Sequence, residues 1–371
     1  MMGKNHFGKA GKSLQVCILG LSLLGLTACG GGGSESSSKE IDTESLTLDE
    51  IVEKAKQEGE VNSVGMPDTW ANWKETWQEL SEEYGLKHTD TDMSSAEEIA
   101  KFEAEKDNAT ADIGDVGISF GPVAEKKELT LPYKTSYWDE IPDWAKDDNG
   151  DWVVGYQGTI AFLTNKELVK NPPKSWNDLL EGDYKVTVGD VQRATQAQMS
   201  ILAAAMALGG NESNIQPGID FFAKLAKQGR LSLTDPSPAM IEKGEVEVAI
   251  LWDFNALNYA DQINREQFEI TIPEEGSVVS GYATIINKYA KHPHAAMLTR
   301  EYILSDEGQI NLAKGYARPI RKVELPSEVA EKMIPEEQYK NAKPVEDHKV
   351  WEETAKKLPQ IWQEEVQVHV K

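Results

Sequence analysis

From about residue 45 onward, short apolar runs alternate with stretches whose apolar residues recur at helical spacing, a pattern that predicts an α/β domain. Residues 61–65 read as a short strand closed by Gly65 and Pro67. Trp70, Trp73, Trp77, Leu80 and Tyr84 then fall at helical spacing and stop at Gly85, a C-cap signal. Core packing accounts for Trp73 and Trp77. Trp70 differs because it stands at the strand-to-helix junction, where open α/β sheets bind ligands.

The alternation continues to the C-terminus. Ser95-Ala96-Glu97-Glu98 reads as a capping box opening a helix through Ile99 and Phe102. Residues 111–116 predict a strand that leads through 117–121 into another helix. A turn at 148–151 precedes two strand runs, 152–154 and 159–163. Residues 184–188 form a strand that delivers Asp190, Val191, Gln192 and Arg193, and 195–208 an Ala- and Met-rich helix stopped by Gly209-Gly210. Buried strands follow at 246–252 and 278–287, then a helix at 292–304. Residues 326–371 read as helical and polar, and no internal repeat is present.

The N-terminal pattern is an address. Lys4, Lys9 and Lys12 form a basic region, and residues 14–26 are apolar apart from Gln15 and Ser22. A spanning helix needs about 20 apolar residues, so this shorter run predicts a signal peptide. It ends in Leu26-Thr27-Ala28-Cys29, which resembles the bacterial lipobox. That resemblance implies cleavage of residues 1–28 and transfer of a diacylglyceryl group, palmitate-like in length, to Cys29. Residues 29–44, with Gly30 to Gly33 and a serine-rich stretch, then form a flexible tether. The only other cysteine, Cys17, leaves with the signal, so no disulfide is available.

Charge narrows the function. The chain has 38 Lys and Arg against 62 Asp and Glu; without the three signal lysines, the net charge is near −27. Such a surface repels nucleic acid and anionic lipid headgroups.

Several segments carry a resemblance to a known group. Glu242-Lys-Gly-Glu-Val-Glu-Val-Ala-Ile-Leu-Trp252 looks like the signature of extracellular solute-binding proteins. Ser280-Gly-Tyr-Ala-Thr-Ile-Ile-Asn287, Leu304-Ser-Asp-Glu-Gly-Gln309 and Gly315-Tyr-Ala-Arg-Pro319 resemble the C-terminal half of the iron, thiamine, polyamine and phosphonate binding-protein group. Asn171-Pro-Pro-Lys-Ser-Trp-Asn-Asp-Leu179 is similar to the same group.

The resemblance spans about residues 45–325 and implies a two-lobe, type 2 periplasmic-binding-protein fold with hinge strands. One lobe is expected at 45–155 plus 281–325 and the other at 156–280 plus 326–371, with crossings near 156–159 and 280–282. It also implies a monomeric, non-enzymatic receptor without cofactor; the dispersed histidines and the lack of a remaining cysteine argue separately against a transition-metal cluster. Its partners would be a small-molecule ligand, an ABC permease with its ATPase, and the membrane through the lipid anchor only. The localisation would be extracytoplasmic.

Ligand contacts are expected on loops after strands in both lobes. Asp68, Thr69 and Trp70 form the first set; Gly117, Ser119 and Phe120, at a helix start, form the second. Asp190, Gln192, Arg193 and Thr195 come from the other lobe, followed by Trp252, Asp253, Asn255 and Tyr259. Tyr282, Tyr316 and Arg318 complete the set. Aromatic rings with Asp190 and Asp253 suit an organic cation, whereas Arg193 and Arg318 suit a carboxylate, phosphate or phosphonate. Both chemistries stay open. Ferric-binding relatives present adjacent tyrosines, and no Tyr-Tyr pair occurs here.

One enzymatic alternative exists. Gly117-Ile-Ser-Phe-Gly121 matches a nucleophile elbow, and Asp253 then His292 or His294 follow in hydrolase order. On that reading Ser119 would serve a surface-anchored hydrolase. Against it, His292 and His294 flank Pro293 as solvent-exposed helix caps, and no oxyanion loop precedes the elbow. Asp147 to Asp151 lacks the Gly and Glu positions of a calcium loop and reads as a hairpin turn.

Overall fold

The computed structural model describes residues 41–43 and 45–370. Cys29, the apolar leader and most of the tether lie outside the described residues. The chain runs α1 (Leu48–Glu58), β1 (Glu60–Val64), α2 (Trp73–Tyr84), β2 (Lys87–Thr91), α3 (Ser95–Glu105), β3 (Ile113–Gly117) and α4 (Gly121–Lys126). Next come β4 (Trp152–Asn165), α5 (Trp176–Glu181), β5 (Val186–Thr187), α6 (Thr195–Ala207), α7 (Gln216–Lys227), β6 (Leu231–Ser232) and α8 (Pro238–Glu242). Then follow β7 (Val248–Trp252), α9 (Asp253–Ile263), β8 (Phe268–Thr271), β9 (Ser277–Ile286), α10 (Pro293–Leu304) and α11 (Asp306–Lys314). The chain ends with β10 (Arg318–Pro319), α12 (Ser327–Ala330), β11 (Ala342–Pro344) and α13 (His348–Glu365).

Local chemistry sets many of these boundaries. Thr47 and Glu50 form a reciprocal capping box for α1, and Gly59 ends that helix at φ 70°. The box before α3 is one residue earlier than the sequence suggests, with Ser94 as N-cap and Glu97 as its partner. Gly85 closes α2 in the left-handed conformation, as its position after Tyr84 predicts.

Two sets of strands share β4. In the first, β2, β1 and β3 run parallel, and β9 joins antiparallel to β3. In the second, β7, β5 and β6 run parallel, and β7 lies antiparallel to β4. The order is β2-β1-β3-β9-β4-β7-β5-β6. Parallel neighbours need helical crossovers, which α2, α3, α6 and α7 supply. Each set has its own apolar core. One gathers Val64, Phe102, Val116, Trp152 and Ile285. The other gathers Leu163, Val246, Leu251, Ala256 and Phe268.

The strands that link the sets pair with each other. Tyr156 lies opposite Tyr282, Gln157 opposite Gly281, and Gly158 opposite Ser280. The sequence splits this region into two strands, but β4 is a single 14-residue strand. Gly155 and Gly158 interrupt the apolar pattern without breaking the ladder; the register only shifts between Val154 and Tyr156. Gly158 is required by packing, because a Cβ there would sit 2.6 Å from the Phe254 ring.

The C-terminal segment also differs from expectation. It is not helical throughout: β11 pairs parallel with β9 before α13 begins. Nor is α13 polar all round, since Trp351, Leu358 and Trp362 are buried. Helical spacing of three apolar residues among many charges hid that face from a composition-based reading. No helix among the described residues is long and apolar enough to cross a membrane.

Candidate functional site

At the crossing of β4 and β9, the paired Tyr156 and Tyr282 rings stack 5.6 Å apart with planes 6° from parallel. Trp70 meets Tyr282 and Phe254 edge-on, each at 5.4 Å. Trp252 stacks on Phe254 at 6.3 Å, and its indole N–H donates to the Tyr282 hydroxyl over 3.3 Å. Trp73 presents its edge to Tyr156 at 5.8 Å. Six aromatic rings from β4, β9, α2, its preceding loop, the end of β7 and the start of α9 therefore meet at one point.

A polar chain runs through this cluster. The Trp70 indole donates to the Tyr156 hydroxyl at 2.6 Å, and that hydroxyl donates to Asp115 Oδ2, also at 2.6 Å. Asp115 is 2% exposed; its Oδ1 and the Trp73 indole N–H beside it are both buried without a hydrogen bond of good geometry. Burial lifts its carboxyl to about 8. Behind it, Glu98 is 1% exposed and accepts from the Asp115 amide at 3.1 Å. Burial first, and then the charge of Asp115, holds the Glu98 carboxyl well above its ordinary range. Gly65 and Gly114 leave the space that this carboxyl fills; a Cβ on Gly114 would stand 2.6 Å from Oε2. Asp90 is raised as well, chiefly by burial, despite accepting from Ser63 Oγ at 2.6 Å and from the Met66 amide at 3.0 Å. Among the described residues, neither Asp115, Glu98 nor Asp90 has a lysine, arginine or histidine ion-pair partner.

Trp70 is aimed by a strained turn. Ala71 and Asn72 both have positive φ, 47° and 59°, which costs a non-glycine residue of order 1 kcal/mol each. Asn72 is held there by donating to the Asn311 carbonyl at 3.0 Å. Gly315 permits the approach, because a Cβ on it would lie 2.6 Å from the Asn72 nitrogen. Helix α9 meets the same loop from the opposite side. Asn258 donates to the Thr69 carbonyl at 3.3 Å, and the Tyr316 hydroxyl donates to Asp261.

The residues expected from sequence thus divide. Trp70, Trp252 and Tyr282 meet in the cluster, while Asp68 and Thr69 are exposed on its rim. Ser119 and the half-buried Phe120 follow β3 in a 3-10 turn. Thr195 begins α6 and packs so closely on Gly117 that a Cβ there would be 2.8 Å from its methyl. Ser95 Oγ accepts from the Gly117 amide at 3.0 Å, so three hydroxyl side chains surround the end of β3. Asp190 and the exposed Arg193 pair with each other at 2.9 Å beside a separate cavity. Tyr259 packs against the second core, and burial pushes its phenol up to about 12.

Asp253 and Arg318 have partners within the protein. Asp253 accepts from the Thr159 and Phe254 amides, each at 2.9 Å, and from the Tyr339 hydroxyl at 2.7 Å. Arg318 lies 3.9 Å above the Tyr339 ring and 3.8 Å from Glu336. Sequence reasoning missed Tyr339, Phe254, Glu98 and Asp115. An Asp inside an otherwise apolar and glycine-rich strand was the available signal for the last.

The hydrolase arrangement is absent. His292 and His294 are not exposed caps: their side chains are 17% and 15% accessible. His292 holds Asp112 at 2.9 Å and Glu60 at 3.3 Å, and His294 holds Glu58 at 2.6 Å. Asp112 precedes β3 and Ser119 follows it, so the five-residue strand separates them by roughly 17 Å.

Comparison with known proteins agrees with this geometry. Residues 108–343 match the family model described as bacterial extracellular solute-binding protein. The sulfate-binding protein of Escherichia coli (strain K12) is 29% identical over 240 residues, covering 60% of this chain and 68% of its own length. The putative 2-aminoethylphosphonate-binding periplasmic protein of Salmonella typhimurium is 25% identical over 243 residues, 62% of this chain and 68% of its own. Among solved structures, the periplasmic binding protein AfuA from Actinobacillus pleuropneumoniae, with exogenous fructose-6-phosphate bound, superposes with a TM-score of 0.67 at 21% identity. It covers 83% of this chain and 98% of that one. With its two strand sets, its paired crossing strands and a match over most of its length, the chain belongs to the bacterial extracellular solute-binding proteins of ABC transporters, a family of binding proteins and not of enzymes.

Proposed function

We propose that the chain is the lipid-anchored, solute-capturing subunit of an ABC importer, and that its solute is a small organic cation held between two lobes. One observation carries the choice of cation. Asp115 is buried with an unpartnered oxygen, is flanked by Trp73, Tyr156 and Trp70, and has Glu98 and Asp90 close behind with no counter-cation. An ammonium group would supply the missing charge, and the aromatic faces would add cation–π attraction of about 0.5–2 kcal/mol. The lobes in this reading are 45–155 plus 281–325 and 156–280 plus 326–371. The two cores and the pairing of residues 156–159 with 279–282 support that division. Closure would present the loaded form to a permease driven by its ATPase.

A second reading has its own support. Ser95, Ser119 and Thr195 cluster at the end of β3, and two relatives are named for sulfate and 2-aminoethylphosphonate. An anion would seat on those hydroxyls and nearby amides. Aminoethylphosphonate carries both an ammonium and a phosphonate, so it would satisfy both places.

A thermal-shift series with putrescine, spermidine, thiamine, 2-aminoethylphosphonate, sodium sulfate and fructose-6-phosphate tests the choice. Amine-bearing compounds are expected to raise the melting temperature saturably. A ligand at 100 times its Kd adds about 2.7 kcal/mol. Stabilisation by sulfate or the sugar phosphate, with no response to any amine, would transfer the site to the anionic reading. For the anchor, Cys29→Ser is expected to abolish incorporation of labelled palmitate and release the protein from membranes. Labelling that persists in this variant would remove the lipobox assignment.

A further inference from the structure

Gln196 is held in one orientation on the first turn of α6, next to Thr195. Its Oε1 accepts from the Trp252 amide at 3.0 Å and from Asn255 Nδ2 at 2.9 Å. A backbone N–H can only donate, so the atom it meets is the oxygen and the side-chain amide is not reversible. Gln196 is half-buried, and its Nε2 group has no protein acceptor among the described residues.

A closed circuit of contacts ties this donor to Asp115. Tyr156 donates to Asp115 at 2.6 Å and stacks on Tyr282, whose hydroxyl accepts from the Trp252 indole. The Trp252 amide meets Gln196, and the neighbouring Thr195 meets Gly117. A Cβ on Gly117 would stand 2.8 Å from the Thr195 methyl and 3.0 Å from its hydroxyl. Gly117 lies two residues beyond Asp115 on β3, so that Cβ would share a face with the Asp115 side chain, about 7 Å along the strand. Tyr282 stands opposite Gly117 in the ladder and shares the same face.

The donors at the Gln196 end are neutral and unused. Ser95, Ser119 and Thr195 are each 8% exposed, and none of their hydroxyls donates to a protein acceptor among the described residues. Ser95 Oγ accepts from the Gly117 amide at 3.0 Å, which leaves its own proton free. Arg193, two residues before Thr195, is exposed and paired with Asp190 at 2.9 Å. Buried donors of this kind ordinarily have partners. Set one strand step from a carboxylate without a counter-cation, they match a molecule with a cation at one end and oxygens at the other.

Building on the organic-cation reading, we propose that Gln196 sets solute specificity. The solute is an amine that also carries an oxygen acid on a short spacer. Its ammonium sits at Asp115, and its anionic oxygens accept from Gln196 Nε2 and from the hydroxyls of Ser95, Ser119 and Thr195.

Calorimetric titration of the full chain with 2-aminoethylphosphonate, β-alanine and propylamine tests this. Propylamine keeps the shape of β-alanine without its carboxylate. Wild type is expected to bind the better of the two oxygen-bearing amines at least tenfold more tightly than propylamine, because buried donors reject a ligand that leaves them unpaired. Gln196→Glu keeps the oxygen that Trp252 and Asn255 require but replaces the donor with a carboxylate oxygen. It is expected to reduce the preference to within twofold. Thr195→Val, which removes one hydroxyl at nearly constant shape, is expected to lower it at least threefold. Circular dichroism melts establish that each variant folds, and Thr195→Val decides the matter if Gln196→Glu does not fold. Equal binding of propylamine and the oxygen-bearing amines by wild type would overturn the inference while leaving the organic-cation reading intact. So would a preference that survives in folded Gln196→Glu. Binding of none of the three compounds would remove both.

Discussion

Arg300→Leu is expected to destabilise the protein by about 3–5 kcal/mol, read as a shift in the urea midpoint at constant slope. Arg300 is wholly buried on α10. Its guanidinium donates to the carbonyls of Tyr133, Gly150 and Thr284, each at 2.9 Å, and Nε donates to Thr284 Oγ1 at 3.1 Å. One side chain thus ties α10 to β9, to the turn before β4 and to the loop at Tyr133. Burial draws its pKa down to about 10, so it stays charged at neutral pH. Leucine would fill part of the volume and take the guanidinium donors from three buried carbonyls, of which Gly150 still accepts from the Tyr133 amide at 3.0 Å; each carbonyl left unpaired costs about 1–3 kcal/mol. Lysine keeps the charge but has only three donors without the planar fork, so Arg300→Lys should fall between. A loss below about 1 kcal/mol in the leucine variant would show that those carbonyls find other partners.

Much of this framework was legible in the sequence, because its signals are local. Gly85 after the Trp73–Tyr84 stripe marks a helix end through its freedom at positive φ, here 75°. The capping box before α3, read one residue late at Ser95–Glu98, and the strand read at 246–252 are equally local statements. The segments 156–159 and 280–282, expected as crossings from family resemblance, pair with each other in register. What escaped depends on contacts between distant residues. Tyr156 and Tyr282 are far apart in the chain, and only strand register puts one ring on the other. The absence of a Tyr-Tyr pair in sequence therefore gave no warning of a tyrosine pair in space.

The partners of Asp253 escaped for the same reason. Its place after β7 gives no sign that Thr159 and Tyr339, both remote, donate to its oxygens. Asp115 sat unnoticed inside a strand because periodicity assigns a buried polar residue no role. Its significance comes from a negative fact, a buried oxygen without a partner, which no spacing rule reveals.

That oxygen leads to the largest expected functional effect. Asp115→Asn keeps the shape and the Tyr156 contact but removes the charge, and it is expected to weaken organic-amine binding by about 100-fold or more. The loss of a buried, paired charge costs about 3–5 kcal/mol, and each 1.4 kcal/mol is tenfold. The pH dependence distinguishes this from a general disruption. The Asp115 carboxyl lies at about 8 in the folded protein, against about 3.9 in an unfolded chain. Between these values the folded state holds a proton that the unfolded state has released, so ligand-free stability should fall as pH rises from about 4 to 8. Amine affinity should move the other way, rising towards pH 8 as the carboxylate forms. Glu98, Asp90, Tyr156 and Trp73 face the same group, and Glu98 is itself raised by burial. The stability slope in Asp115→Asn should therefore shrink without vanishing, while the rise in amine affinity should disappear. Wild-type amine affinity that stays flat from pH 5 to 8, or an unchanged affinity in the variant, would mean that the charge on Asp115 is not what the solute meets.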